Sequence, residues 1–250
     1  MLKTEDYPNL SRPPIKLAII EIRYDWLSSK DAATFIDFHT YIKNDFPTEQ
    51  KGDHKNINLD NTNDGNIKAT ITKQYVKDYK FISADKKNVL LVSKERFSLN
   101  VQDNYTTWRD FVSKFKELWE LFTTHIITSD QVNIKGISIR YINRIELEEV
   151  NNPSAYFNTT IYATEGVIPE NVTSYMMHYR VLTPENIELL ITQGIEPRTT
   201  KVSPYLFDID VIKNNLTNNE DIWSLFENLR RQKNKVFFSN ITDLTLSKLI

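Results

Sequence analysis

The chain has 250 residues with 31 basic and 33 acidic side chains, a formal net charge of −2, and no cysteine. This near-neutral balance argues against a duplex nucleic-acid binder, which needs many cations to displace counterions. The lack of cysteine excludes disulfide frameworks, cysteine-ligated zinc, iron–sulfur clusters and thiol nucleophiles.

The glycine spacing and the N-terminal sequence exclude further classes of protein. Five glycines form neither a GxGxxG motif nor a phosphate-binding loop, so we expect no nucleotide cofactor. The N-terminal segment MLKTEDYPNLSRPP lacks the apolar stretch of a secretion signal, and no apolar run is long enough to span a bilayer. We therefore expect a cytoplasmic protein that binds no membrane.

The first half of the chain begins with strand-like alternation. IKLAIIEIRYDW (15–26) predicts a strand with Ile20, Ile22 and Tyr24 on one face and charged residues on the other. Apolar residues at helical spacing predict a helix over 31–47, which Pro47 ends. The polar residues 48–66 predict a loop. Short strand-like segments then predict strands at 67–76, 79–84, 88–93 and 96–101.

The segment 106–126 shows the clearest helical pattern in the chain. Its large apolar residues recur every three or four positions, which is typical of a helix packed on the core. Thr107 is placed to cap the first turn, with Asp110 three residues later as in a capping box. We expect this helix to be a main element of the core.

The second half is predicted to be richer in strands. GISIRYINRIEL (136–147) alternates as a half-buried strand, and 151–170 is irregular. The tail after 234 predicts a short strand or turn and one or two final helical turns. The remaining predicted elements are strands at 171–183, 185–195 (where a helix stays open) and 204–214, and a helix at 218–234.

This order of elements predicts an α+β fold, mainly antiparallel, with two or three long helices packed on one side of the sheet. We expect a single compact domain over 1–250. The tripeptide Ile22-Arg23-Tyr24 recurs as Ile139-Arg140-Tyr141 in a strand of similar pattern. The repeat leaves open a division into two related halves, 1–130 and 131–250.

Several of these segments together resemble a sporadically distributed family of bacterial and archaeal proteins of similar length. That family has no assigned activity, so the resemblance implies a stand-alone bacterial protein and transfers no chemistry. Patchy distribution is typical of horizontally transferred defence or conflict genes, which makes such a system the expected context. The matching segments are Tyr7-Pro8-Asn9, Pro13-Pro14-Ile15 before IIEIRY, YKFIS (79–83), YxxWxxF (105–111), ISIRYINRI (137–145) and IWSLFENLRRQKNKVFFSNITD (222–243).

The strand 136–147 carries the first candidate site. Arg140 and Arg144 share one face but lie about 13 Å apart, too far to grip one anion together. A cation from a neighbouring strand, such as Arg23, would complete an anion-binding face. The structural alternative is ion pairing with Glu21, Asp25, Glu146 or Glu148, under a covering helix. Asn143 falls among the apolar residues of the other face, and it must bond either a backbone group or a ligand.

The strand 204–214 carries the second candidate site. Asp208 and Asp210 share a face about 7 Å apart. A third acid from a neighbouring strand, such as Glu146 or Glu148, would make a Mg²⁺ site. A solvated acidic face explains the same alternation without any metal.

The sequence thus leaves three functional hypotheses. The first is a non-enzymatic interaction module that acts through a protein partner or as a homo-oligomer, since the sequence shows no metal constellation, phosphate cradle or nucleophile motif. The second is a small anionic-ligand-binding protein that uses Arg23, Arg140, Asn143 and Arg144. The third is a metal-assisted hydrolase at Asp208 and Asp210.

Overall fold

The computed structural model of the protein describes residues 7–27, 32–61, 67–127, 132–147, 153–161, 174–197, 203–217 and 220–250. Over these residues the fold is α+β, as predicted, with nine strands in an antiparallel sheet of order β2-β3-β4-β5-β1-β6-β9-β8-β7. None of the helices in these ranges is long and apolar enough to cross a membrane.

The strands are β1 (Ile15–Trp26), β2 (Thr48–Asn61), β3 (Ile67–Ile82), β4 (Asn88–Ser93), β5 (Arg96–Gln102), β6 (Val132–Leu147), β7 (Tyr175–Leu182), β8 (Ile187–Ile195) and β9 (Ser203–Asn214). The helices are α1 (His39–Ile42), α2 (Trp108–His125), α3 (Ile222–Asn240) and α4 (Asp243–Leu249), and a 3-10 helix, Ala32–Phe38, leads into α1.

The chain divides into two compact units. The first unit contains residues 1–20, 102–105 and 136–250, and the second contains 21–101 and 106–135. The halves suggested by the sequence, 1–130 and 131–250, differ from these units mainly in residues 1–20, which belong with the C-terminal unit.

The second unit is built around aromatic side chains. Phe97 of β5 lies 5.3 Å from Trp119 and 5.1 Å from Phe122 of α2, measured between ring centroids. The start of α2 is capped as predicted, because the Asp110 amide donates to the Thr107 hydroxyl at 3.1 Å. The apolar stripe read from 106–126 therefore faces the core.

The first unit packs α3 against one face of β6, β9 and β8. Phe237 of α3 stacks near Phe207 of β9, with 5.8 Å between ring centroids. Asn240 at the end of α3 donates to Gln193 of β8 at 2.6 Å. We call the face under α3 the inner face and the opposite face the outer face.

In the second unit, the predicted loop and the predicted break between two strands were wrong. Residues 48–61 are not a loop but the strand β2, which pairs antiparallel with β3. The predicted strands 67–76 and 79–84 are one strand, β3. A polar, charged strand at a sheet edge gives no hydrophobic alternation to read, and this is the usual composition of a protected edge.

Two helical predictions need correction, and one strand prediction with an open alternative is confirmed. The helix predicted over 31–47 is the short 3-10 turn followed by α1, because the apolar residues at a spacing of three fit a 3-10 helix. The segment 185–195, predicted as a strand with a helix left open, contains the strand β8 (Ile187–Ile195). The last long helix does not end near 234 but runs to Asn240, because Phe237 and Asn240 continue its buried stripe.

Candidate interaction surface

The outer face of the first unit carries the predicted arginine and aspartate residues. Strand alternation directs Arg140 of β6 and Asp208 of β9 to this face, while Ile139 and Tyr141 are buried on the inner face. The helix expected to cover the arginines is not found among the described residues, since α3 packs on the opposite face. The side chain of Arg140 is 43 % exposed.

Arg140 and Asp208 form a two-pronged ion pair. Arg140 Nε donates to Asp208 Oδ1 at 2.9 Å, and Nη2 donates to Oδ2 at 2.6 Å. The bond to Asp208 is the main reason why the pKa of Arg140 rises above its usual value, and Asp210, directly opposite in the ladder, adds to it. The Asp208 side chain is only 9 % exposed, so this pair is the most buried charge on the face.

Arg144 has a separate acidic partner. Its Nε donates to Glu196 Oε2 at 2.8 Å, and both side chains are partly exposed. Ion pairing of Arg140 and Arg144 therefore occurs, but the partners are Asp208 and Glu196 rather than Glu21, Asp25, Glu146 or Glu148. Glu148 lies outside the described residues.

Asn143 lies on the inner face, 2 % exposed, as the alternation predicted. Its Nδ2 donates to the Phe207 carbonyl at 2.9 Å and approaches the Tyr141 carbonyl at 3.4 Å. The backbone of the neighbouring strand therefore supplies the partner that a buried amide requires.

Asp208 and Asp210 lie on the outer face of β9 with a guanidinium between them. Glu146 pairs opposite Pro204, four residues along β9 from Asp208, which places it about 13 Å away along the strand. Across the described part of the chain, no three His, Asp or Glu side chains come together as a metal site. The chemistry offered at Asp208 is ion pairing with Arg140.

Arg23 belongs to the second unit, whereas Arg140 belongs to the first. The Tyr24 amide donates to the Glu95 carbonyl at 2.9 Å, which places Arg96 of β5 opposite Arg23 of β1. Glu21 lies near both cations, with Oε1 3.5 Å from Arg23 Nε. Burial raises the pKa of Glu21, and the two arginines oppose that rise. Arg23 Nε and Nη2 are buried without a hydrogen-bond partner.

Among the strands that the structure describes, β7 is the last of the sheet, beside β8. It pairs with β8 without a register shift, from Tyr175 opposite Ile195 to Leu182 opposite Glu188. It contains no lysine, proline or glycine. Three of its apolar side chains are exposed: Met176 by 41 %, Val181 by 42 % and Leu182 by 64 %. We call this strand, with its outward-directed backbone, the β7 edge.

The edge strand at the other end of the sheet order is built differently. Its sequence, TEQKGDHKNINLDN, is dominated by charged and polar residues. Its pairing with β3 is interrupted by two register shifts, at Gly52/Asp53 and at Asn56/Ile57. Charge and bulges are the features by which proteins protect an edge from strand addition. β2 has both features, whereas β7 has no bulge and a single arginine, Arg180, which is paired with Glu188.

A partly buried lysine on the inner face, Lys233, was not identified from the sequence. Lys233 Nζ of α3 lies 4.3 Å from the ring centroid of Tyr141, whose hydroxyl donates to Tyr105 at 3.3 Å. Burial, helped by nearby Arg230, lowers the pKa of Lys233 to about 7. The signal available in the sequence was the position of Lys233 on the apolar stripe of α3, between Leu229 and Phe237.

No protein-family model matches the chain, and a search of curated proteins gave no significant match. The family resemblance stays a prediction, and the functional argument depends on the geometry of the chain alone.

Proposed function

We propose that the protein is a cytoplasmic, non-enzymatic interaction module that binds a protein partner by strand addition along the β7 edge. The observation that carries the proposal is the regular, unbulged β7 strand with Met176, Val181 and Leu182 exposed. Exposed edges of this kind are templates for pairing with another chain.

The backbone geometry of β7 supports strand addition. The Thr183 amide donates to the Ile187 carbonyl at 2.9 Å, so odd-numbered residues of β7 direct their amide and carbonyl groups to β8. The even-numbered residues, 176 to 182, direct theirs away from β8. An extended partner would therefore meet a regular row of donors and acceptors, beside apolar side chains on both faces.

The charges of the outer face support a binding role over an enzymatic one. Arg140 and Arg144 are each held by a carboxylate, and Arg180 Nε pairs with Glu188 at 2.7 Å. Such pairs fix side chains and neutralise the surface, which suits a specific protein contact. We further propose that the module serves a horizontally transferred defence or conflict system, as the family resemblance implies.

A site-specific photocrosslinker tests this function. We expect a crosslinking residue at Leu182 to capture one defined protein species in native lysate, while the same residue at Leu244 captures none. Leu244 is a matched control, since it is also an exposed leucine, 45 % accessible, but lies on α4. Equal capture at both positions, or no capture at Leu182, would argue against the proposal.

A second candidate function is binding of a small anion by Arg23 and Arg96. It is favoured by the two arginines opposite each other across β1 and β5 and by Nε and Nη2 of Arg23, which have no hydrogen-bond partner. Glu21, 3.5 Å from Arg23 Nε, would compete with the bound anion. Phosphate should then raise the melting temperature of the wild type but not of Arg23→Ala/Arg96→Ala. An equal rise in both proteins would exclude this site.

A further inference from the structure

We propose that the occupant of the β7 edge is a second copy of this chain, paired antiparallel through β7 about a two-fold axis at Tyr179. This inference rests on the proposed function and names its partner.

The backbone of β7 permits self-pairing. A two-fold axis perpendicular to the sheet keeps each face continuous, so paired residues must share a face and their numbers must sum to an even value. With the axis at Tyr179, Met176 pairs with Leu182 of the second copy and His178 pairs with Arg180. These four residues are the ones whose amide and carbonyl groups point outward, so the pairing forms about eight inter-chain hydrogen bonds.

The side chains of β7 are complementary in this register. On the outer face the exposed Met176 and Leu182 lie opposite each other twice. On the inner face Met177 lies opposite Val181, and Tyr179 meets its own copy. All three exposed apolar residues of the strand are thereby covered. Arg180 brings no unpaired charge, because Glu188 of its own chain holds it.

Neighbouring registers are less favourable. An axis at Arg180 would place two arginines directly opposite each other, which costs free energy. An axis at His178 would place Met176 against Arg180 and Leu182 against Ser174, so the exposed apolar pairs would be lost. The register at Tyr179 is therefore the one that the sequence of β7 selects.

The size of this contact sets the expected affinity. Seven paired residues, 176 to 182, at about 3.4 Å each give a paired length of about 24 Å, a narrow contact beside the roughly 1,200–2,000 Å² of a standard stable interface. We therefore expect a reversible dimer with a dissociation constant in the micromolar range, on the order of 1–100 µM.

Sedimentation velocity on the full chain, from about 1 µM to about 1 mM, tests the proposal with two matched variants. Met176→Lys/Leu182→Lys places lysine opposite lysine in the proposed register and should weaken the dimer at least about tenfold. Met176→Lys/Leu182→Glu differs only at residue 182, places lysine opposite glutamate and should dimerise within about threefold of the wild type. Circular dichroism checks that both variants, changed at exposed positions, remain folded.

The two variants also distinguish the register at Tyr179 from the register at His178, and the measurements together distinguish failure of the dimer proposal from failure of the proposed function. With the axis at His178, the lysine introduced at position 176 would face Arg180 in both variants, and the glutamate at position 182 would not restore dimerisation. Failure of this rescue would overturn the proposed register. A wild type that stays monomeric up to about 1 mM would overturn the inference. If crosslinking at Leu182 still captured a different protein, the proposed function would stand, and if it captured nothing, both would fall.

Discussion

Replacing Arg140 with alanine should destabilise the protein far more than replacing Arg144. Arg140 makes three close contacts to the Asp208 carboxylate, at 2.6 to 3.2 Å. Asp208 is nearly buried and Asp210 lies two residues away on the same face. Without the guanidinium, the nearly buried Asp208 carboxylate loses the cation that holds it and stays close to a second carboxylate.

The size of the effect follows from burial. Breaking a fully buried ion pair by removing one partner costs about 3–5 kcal/mol, whereas an exposed pair contributes about 0–1 kcal/mol. Asp208 is near the first case, but the Arg140 side chain is 43 % exposed, so we expect a loss of about 2 kcal/mol for Arg140→Ala. Arg144→Ala breaks a more exposed pair with Glu196 and should cost less than about 1 kcal/mol.

Urea unfolding at neutral pH measures both values. The double variant Arg140→Ala/Asp208→Ala should recover much of the stability, because it removes the stranded carboxylate as well. Equal losses for Arg140→Ala and Arg144→Ala would contradict the reasoning, and so would a double variant less stable than Arg140→Ala alone.

Three further predictions concern the first unit. The pKa of Lys233 is lowered to about 7 from 10.5, so the unfolded chain binds more protons than the folded chain between these two pH values. The free energy of unfolding should therefore rise with pH by up to about 1.4 kcal/mol per pH unit. Urea unfolding at pH 7 to 10 should show this pH dependence in the wild type and not in Lys233→Met. Gly194→Ala should loosen β7 from β8 because its Cβ would lie 2.1 Å from the Tyr175 carbonyl, and unchanged amide exchange in β7 would exclude this clash. Gln193→Leu leaves Asn240 and Tyr179 without their buried hydrogen-bond partner and should lower the free energy of unfolding by about 2–4 kcal/mol. The double variant Gln193→Leu/Asn240→Leu should regain part of this stability. A melting temperature of Gln193→Leu equal to that of the wild type would refute the prediction.

The spacing of apolar residues predicted those elements whose buried face can be identified from their own sequence. Tyr24 and Tyr141 are buried in β1 and β6 because period-two alternation survives in both strands. The apolar stripe and the N-terminal cap of α2 were predicted because both depend only on residues close together in the sequence. The strand β2 was not predicted, since its charged residues, typical of a sheet edge, give no hydrophobic alternation. The last turns of α3 were not predicted either, since the packing of Phe237 overrides the weak helix preference of aromatic residues.

The candidate surface depended on pairings that a single sequence does not contain. The partner of Arg140 lies 68 residues away, and only the β6–β9 register brings them together. The strand character of β7 was read from residues 171–183, but its place at the end of the sheet was not. Edge position depends on the order of strands, which hydrophobic periodicity does not encode.

Amide hydrogen exchange resolved by residue along β7 tests the central claim most directly. In dilute protein, the amides of 176, 178, 180 and 182 should exchange fast, while those of 177, 179 and 181, bonded to β8, should be protected. Raising the concentration should slow the first set and leave the second unchanged. Uniform protection along β7 at every concentration would contradict an open edge and the interaction proposed for it.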